Sequence, residues 1–217
     1  IAFYNKNMQK EIKERKFVES HMKKALDNNE FIIYLQPKFS ISNGEAVGYE
    51  ALVRWQSPER GMIYPGGFIP LFEENGFITK LDAYVWECAC MVLRDWIDRH
   101  FTPLPISVNV SRANLDDESF LNVLDGLIEK YRLPKHLLEL EITESIENDT
   151  TLRMTEKIKE HGYILLMDDF GSGYSSLNTL QDTKFDVLKL DREFFSTHMS
   201  NAVSYTHLRA HETEADL

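Results

Sequence analysis

The sequence predicts an α/β fold of the β/α-barrel kind, and three observations carry that reading. Strand-like apolar runs alternate with helix-like stretches along the chain, as parallel crossover units require. Five of the runs end on residues able to hold a cation or its water. These are Glu50 in AVGYEALVRW, Asn109 in ISVNVS, Glu141 in LELEITE, Asp168 and Asp169 in YILLMDDF, and Lys189 in DVLKLD. In β/α barrels the chemical groups gather at the C-terminal ends of several strands. The length of 217 residues also suits one domain of this kind.

The elements follow in order. Residues 1–28 are polar and helix-prone, with Met8, Ile12, Val18, Met22, Ala25 and Leu26 marking a broken apolar stripe. That stripe fits a solvated helix packed beside the domain or a connector from an upstream domain, and both readings stay open. FIIYLQPKFSI and AVGYEALVRW read as two strands joined by a turn at Ser42-Asn43-Gly44. SPERGMIYPGG reads as a loop, and FIPLFEENG and LDAYVWECACMVLRDWIDRH as helices. The strand ISVNVS precedes the helix DDESFLNVLDGLIEKYR, LELEIT precedes TLRMTEKIKEHG, and YILLMDDF precedes SSLNTLQDT. DVLKLD is the last strand-like run.

Composition narrows the function. A net charge of −11 argues against a sequence-independent grip on a nucleic acid polymer. An anionic substrate would need divalent cations to supply the missing positive charge. Cys88 and Cys90, two apart on a helix, do not face each other and read as core filling. Their setting is expected to be a reducing, cytoplasmic one. No apolar run reaches ~18 residues, so no membrane contact is expected from this segment. Four carboxylates, one amide and one lysine, without histidine, describe a hard-cation site. Two adjacent aspartates on a regular strand would point to opposite faces, so the strand is expected to break at DDFGSG, where Gly171 and Gly173 permit a turn. Lys189 among apolar residues reads as a cation beside a nucleophilic water, or as an edge lysine snorkelling to solvent. FGSGYSSL lacks the Gly-Lys-Ser/Thr ending of a phosphate-cradling loop and reads as a mobile gate.

Several blocks together carry a resemblance. They are Gln36-Pro37, Glu50-Ala51-Leu52 followed by Arg54-Trp55, FIPLFEENGFI, SVNVS, ELEITES, DDFGSGYSSL and LKLD, in this order. From about Phe31 to Phe195 the chain resembles the EAL domain family of bacterial cyclic di-GMP phosphodiesterases. The resemblance implies a TIM-like (β/α) barrel, two Mg²⁺ or Mn²⁺ ions, and hydrolysis of cyclic di-GMP to linear pGpG. It also implies that Glu50, Asn109, Glu141 and Asp168 hold one ion. Asp169 would reach the second, with Asp168 shared. Lys189, Glu50 and Asp169 would be catalytic, Gln36 and Arg54 would bind substrate, and Glu144 would brace the loop beginning at Phe170.

The same resemblance makes the barrel incomplete, with about six of eight strands present, so the activity is expected of the parent protein and this truncated chain is expected to be inactive. A native domain is expected over 29–202, and residues 1–28 are expected to connect to an upstream GGDEF-like signalling domain. A homodimer is a further expectation. The AEGVE-like glutamate and the glutamine near a QG pair that the family carries later are not found. Val203 to Thr213 resembles an in-frame translation of a sequencing-library adapter, so 203–217 is expected to be a non-native tail. The alternative function is an inactive EAL domain that binds cyclic di-GMP as a sensor. A histidine-based HD-type phosphohydrolase is rejected, because His21, His100, His136, His161 and His198 are scattered singly.

Overall fold

The computed structural model describes residues 6–143, 149–170 and 185–191. Strands β1 (Phe31–Phe39) and β2 (Ala46–Ser57) form an antiparallel hairpin in which Gln36 lies opposite Glu50. Its turn puts Gly44 at φ 71°, a left-handed conformation that glycine adopts without steric cost. The Gly44 N–H donates to the Ser40 carbonyl at 2.8 Å. A short strand β3 (Gly61–Ile63) extends the hairpin, with Ile63 opposite Trp55. Sequence reading makes this piece a loop, because three residues are too few to show a period.

Apart from the antiparallel β2–β3 pair, every pairing from β2 onward is parallel. β2 pairs with β4 (Ile106–Asn109), β4 with β5 (Leu138–Thr143), β5 with β6 (Ile164–Phe170), and β6 with β7 (Val187–Leu190). The path β1-β2-β4-β5-β6-β7 contains the six expected strands in chain order, and among the described residues its two ends do not pair with each other. The expected tail, 203–217, lies outside the described residues.

The helices are α1 (Lys6–Asp27), α2 (Ile69–Asn75), α3 (Ile78–Asp98), α4 (Arg112–Leu115), α5 (Ser119–Tyr131) and α6 (Asp149–Glu160). The helix expected over 116–132 starts at Ser119, with the separate short helix α4 ahead of it, and the Asp117 carboxylate accepts from the Ser119 N–H at 2.9 Å and its hydroxyl at 2.6 Å. Asp is favoured at such helix starts, where it takes up an otherwise unpaired donor. Strand β5 shows how the layers divide. Leu138, Leu140 and Ile142 are fully buried in the hydrophobic core, while Glu139 and Glu141 alternate onto the opposite face. Burying each such aliphatic side chain is worth roughly 1.5–3 kcal/mol, which compensates for polar groups on the inner face.

Helix α1 lies against the hairpin. Val18 and Ala25 of the expected stripe are buried, and Met22 and Leu26 pack at its edge. Ile12 remains 40% exposed. Phe17, outside the expected stripe, is buried near Trp55 with ring centroids 5.9 Å apart, and the Arg60 guanidinium lies 3.8 Å from its centroid. Arg60 also pairs with Glu14, and Arg15 with Glu74 at 2.6 Å.

Candidate metal centre

Strand register assembles the site. Glu50 pairs with Ser107, Asn109 with Glu141, and Thr143 with Asp168. Asn109, Thr143 and Asp168 stand at or near the C-terminal ends of their strands, whereas Glu50, expected at a strand end, lies in the middle of β2, where its pairing with β4 begins. Carboxylate oxygens of Glu50, Glu141 and Asp168, from three strands, lie within 4.8 Å of one another. The Lys189 ammonium, from a fourth strand, sits among them. Its Nζ lies 2.9 Å from Glu50 Oε2, 2.9 Å from Glu141 Oε2 and 3.0 Å from Asp168 Oδ1.

The electrostatics of this cluster are unbalanced. Glu141 is 0% exposed, and its Oε1 has no hydrogen-bond partner among the described residues. Burial and then the Glu50 charge push its carboxyl up, and Lys189 only partly opposes them. Burial alone would lower the Lys189 ammonium, but Glu141 and Glu50 outweigh it and hold the lysine well above its ordinary range. One ammonium shared by three carboxylates leaves net negative charge in a half-buried space. A divalent cation would neutralise it and give the unpaired oxygen a partner, so the donor set fits a hard-metal site.

Asp168 and Asp169 both reach the strand end through a break in β6 itself. Asp169 has φ 54°, and the β6–β7 register shifts between Met167 and Phe170. The break therefore sits within the aspartate pair, one of the few residue types that tolerates this conformation, whereas Gly171 and Gly173 lie outside the described residues. The Asp169 N–H donates to Asp168 Oδ1 at 3.0 Å. What burial it has, followed by the charges of Asp168 and Asp191, pushes the Asp169 carboxyl up. Asp169 is not part of the close three-carboxylate group.

Asn109 ends β4 beside Glu141, held from behind by α3. Trp86 Nε1 donates to the Asn109 carbonyl at 3.0 Å. Two residues on, the Ser111 N–H donates to Asp82 Oδ2 at 2.9 Å, and Asn114 Nδ2 reaches the same oxygen at 2.7 Å. Burial raises the Asp82 carboxyl to about 6. Gln36 is exposed opposite Glu50, and Arg54 lies four residues further along β2 on the same face. Glu144 and most of FGSGYSSL lie outside the described residues.

Sequence reasoning missed two supporting groups. Beneath the carboxylate cluster, Lys38 Nζ donates to Glu139 Oε2 at 2.7 Å and to Ser107 Oγ at 3.2 Å. Both charged residues stand two positions from a recognised one, Lys38 from Gln36 and Glu139 from Glu141, so period-two alternation already put them on the inner face. Asp82 was legible as a carboxylate in the apolar stripe Ile78, Leu81, Val85, Trp86, Ala89. Cys88 and Cys90 are free thiols, as expected of core filling, and Cys90 is buried.

Known proteins resemble this chain over most of its length. A family model described as "EAL domain" matches residues 19–210. The match begins inside α1 and runs past Ala202. Cyclic di-GMP phosphodiesterase PdeR of Escherichia coli is 34% identical over 213 residues, covering 97% of this chain and 32% of its own length. The bifunctional diguanylate cyclase/cyclic di-GMP phosphodiesterase MucR of Pseudomonas aeruginosa is 33% identical, covering 90% and 29%. This chain thus spans about a third of each of these longer relatives. The structure of the PaMucR phosphodiesterase in its c-di-GMP complex matches with a TM-score of 0.77 at 32% identity, over 85% of this chain and 76% of that one.

Proposed function

Since this chain belongs to the EAL domain family, we propose that it hydrolyses cyclic di-GMP to linear pGpG at a two-metal centre. The observation that carries this is the convergence of Glu50, Glu141 and Asp168 around a buried, unpaired Glu141 oxygen. Glu50, Asn109, Glu141 and Asp168 are the proposed ligands of one ion. Asp169 is that of a second, with Asp168 shared. Oxygen donors without histidine favour Mg²⁺ or Mn²⁺. When bound, such ions neutralise phosphoryl charge and lower the pKa of the attacking water.

The chain's own groups do the rest. Lys189 keeps a positive charge at the carboxylate cluster, which favours the deprotonated nucleophile. Glu50 and Asp169 flank it with the carboxylates that orient water and take up its proton. Arg54 offers a planar guanidinium fork to a phosphate, and Gln36 an amide to the substrate. Water adds across one P–O3′ bond of the ring, the freed 3′ oxygen takes a proton, and the product carries a 5′-phosphate.

Residues 1–28 are proposed to join an upstream GGDEF-like domain, supported by the way α1 docks on the β2–β3 hairpin and by MucR's bifunctional name. A homodimer and a cytoplasmic setting complete the proposal. No described helix is long and apolar enough to cross a membrane. The test is incubation of the chain with cyclic di-GMP, with and without Mg²⁺ or Mn²⁺, and chromatography of the products. Metal-dependent appearance of pGpG supports the reading. Tight binding without cleavage would make this a cyclic di-GMP-binding module instead.

A further inference from the structure

On the face that carries Gln36 and Glu50, two tyrosines stand in solvent. Tyr34 of β1 is 51% exposed, and Tyr64, directly after β3, is 60% exposed. Phe31, Trp55, Phe68 and Phe72, by contrast, are buried against one another. Tyr34 lies two residues from Gln36 and opposite Leu52, so it shares the inner face with Gln36, Glu50 and Arg54. At ~3.3 Å per residue, Tyr34 is roughly 7 Å and Arg54 roughly 13 Å along the hairpin from the Gln36–Glu50 pair. The Arg54 guanidinium lies between the two rings, 5.9 Å from the Tyr34 centroid and 5.6 Å from that of Tyr64. Its Nη1 also donates to the Val53 carbonyl at 2.9 Å.

We infer that Tyr34 and Tyr64 form a base-stacking platform at the mouth of the site, on either side of a phosphate-gripping Arg54. The inference rests on the phosphodiesterase reading above. A cyclic purine dinucleotide offers flat π faces alternating with phosphates. A guanidinium flanked by exposed aromatic rings matches that alternation, because rings stack on any base while the cation meets the phosphate. The phosphate under attack lies at the carboxylates, and its base reaches up the hairpin to the rings. Stacking is tolerant of base identity, so the platform supplies affinity and orientation, and guanine selection comes from other contacts.

The experiment measures KM and kcat for cyclic di-GMP hydrolysis by the chain carrying Tyr34→Ala, Tyr34→Phe, Tyr64→Ala or Tyr64→Phe. Each variant is also made in an Arg54→Ala background. Both tyrosines are exposed, so the substitutions leave the core intact. Loss of a stacked base should raise KM on the order of ten- to a hundredfold in the alanine variants, with kcat much less changed. The phenylalanine variants should stay within about threefold of wild type. The alanine effect should persist without Arg54, since additivity marks independent contacts. Unchanged KM in both alanine variants overturns the platform. So does an effect that vanishes in the Arg54→Ala background, which would mean that the rings merely orient the arginine. Wild-type chain that neither binds nor cleaves cyclic di-GMP overturns the parent reading as well, whereas cleavage with unaffected tyrosine variants overturns only this one.

Discussion

Lys189 Nζ lies 2.9 Å from Glu141 Oε2, and the other Glu141 oxygen is buried with no partner among the described residues. A strand-end lysine thus neutralises one oxygen of the carboxylate and leaves the other unpaired. The unpaired oxygen is the one that the proposed metal would take as a ligand.

Metal dependence is the first consequence. Glu50→Ala or Asp168→Ala should lower cyclic di-GMP hydrolysis by more than the roughly 10–100-fold typical of groups one layer outside a metal. Exhaustive chelation should abolish the activity, and Mg²⁺ or Mn²⁺ should restore it. Turnover that survives chelation would remove the metal from the account.

Lys189→Met should reduce kcat on the order of 10²–10⁴-fold while cyclic di-GMP affinity changes only a few-fold. In metal-free protein it should also destabilise the fold, by up to ~3–5 kcal/mol less a discount for partial exposure, because three facing carboxylates lose their counter-ion. The raised lysine pKa means this stabilisation is fully present below the unfolded value near 10.4 and is lost only as pH rises through the folded one. Urea melts at neutral pH measure it. Equal stability of the two proteins would show that the carboxylates do not depend on the ammonium.

Asp82 carries a pH signature of opposite sign. A carboxyl raised to about 6 favours its protonated form in the folded state, so its contribution to stability falls as pH climbs from ~4 to ~6. Asp82→Asn lacks that titration. Between pH 4.5 and 7.5 the wild type should therefore lose more stability than the variant, by a difference on the order of 2–3 kcal/mol. Parallel stability–pH curves would show that Asp82 ionises as freely folded as unfolded.

Gly48 tests the floor of the inner face. A Cβ there would stand 3.0 Å from Lys38 Cε and 3.1 Å from the Pro105 carbonyl oxygen. The lysine tail can move, but the backbone oxygen cannot, so Gly48→Ala should cost about 1–3 kcal/mol by overpacking. Thermal unfolding of the variant gives the number directly. An unchanged melting temperature would mean that the β2–β4 contact relaxes freely.

Much of this protein was legible in its residues. The alternation of apolar runs and helical stretches yields six strands in chain order. Strand-end placement picks out Asn109, Glu141, Asp168 and Lys189, because periodicity and strand termini are local properties of the chain, while Glu50 lies in mid-strand and joins them only through the sheet. Tertiary structure alone decided how those ends meet. That Lys189 reaches three carboxylates on three other strands depends on a register set by neighbouring strands, which no single segment encodes. The Lys38–Glu139 pair and the two tyrosines around Arg54 arise in the same way. Each depends on residues distant in sequence and adjacent only once the sheet has formed.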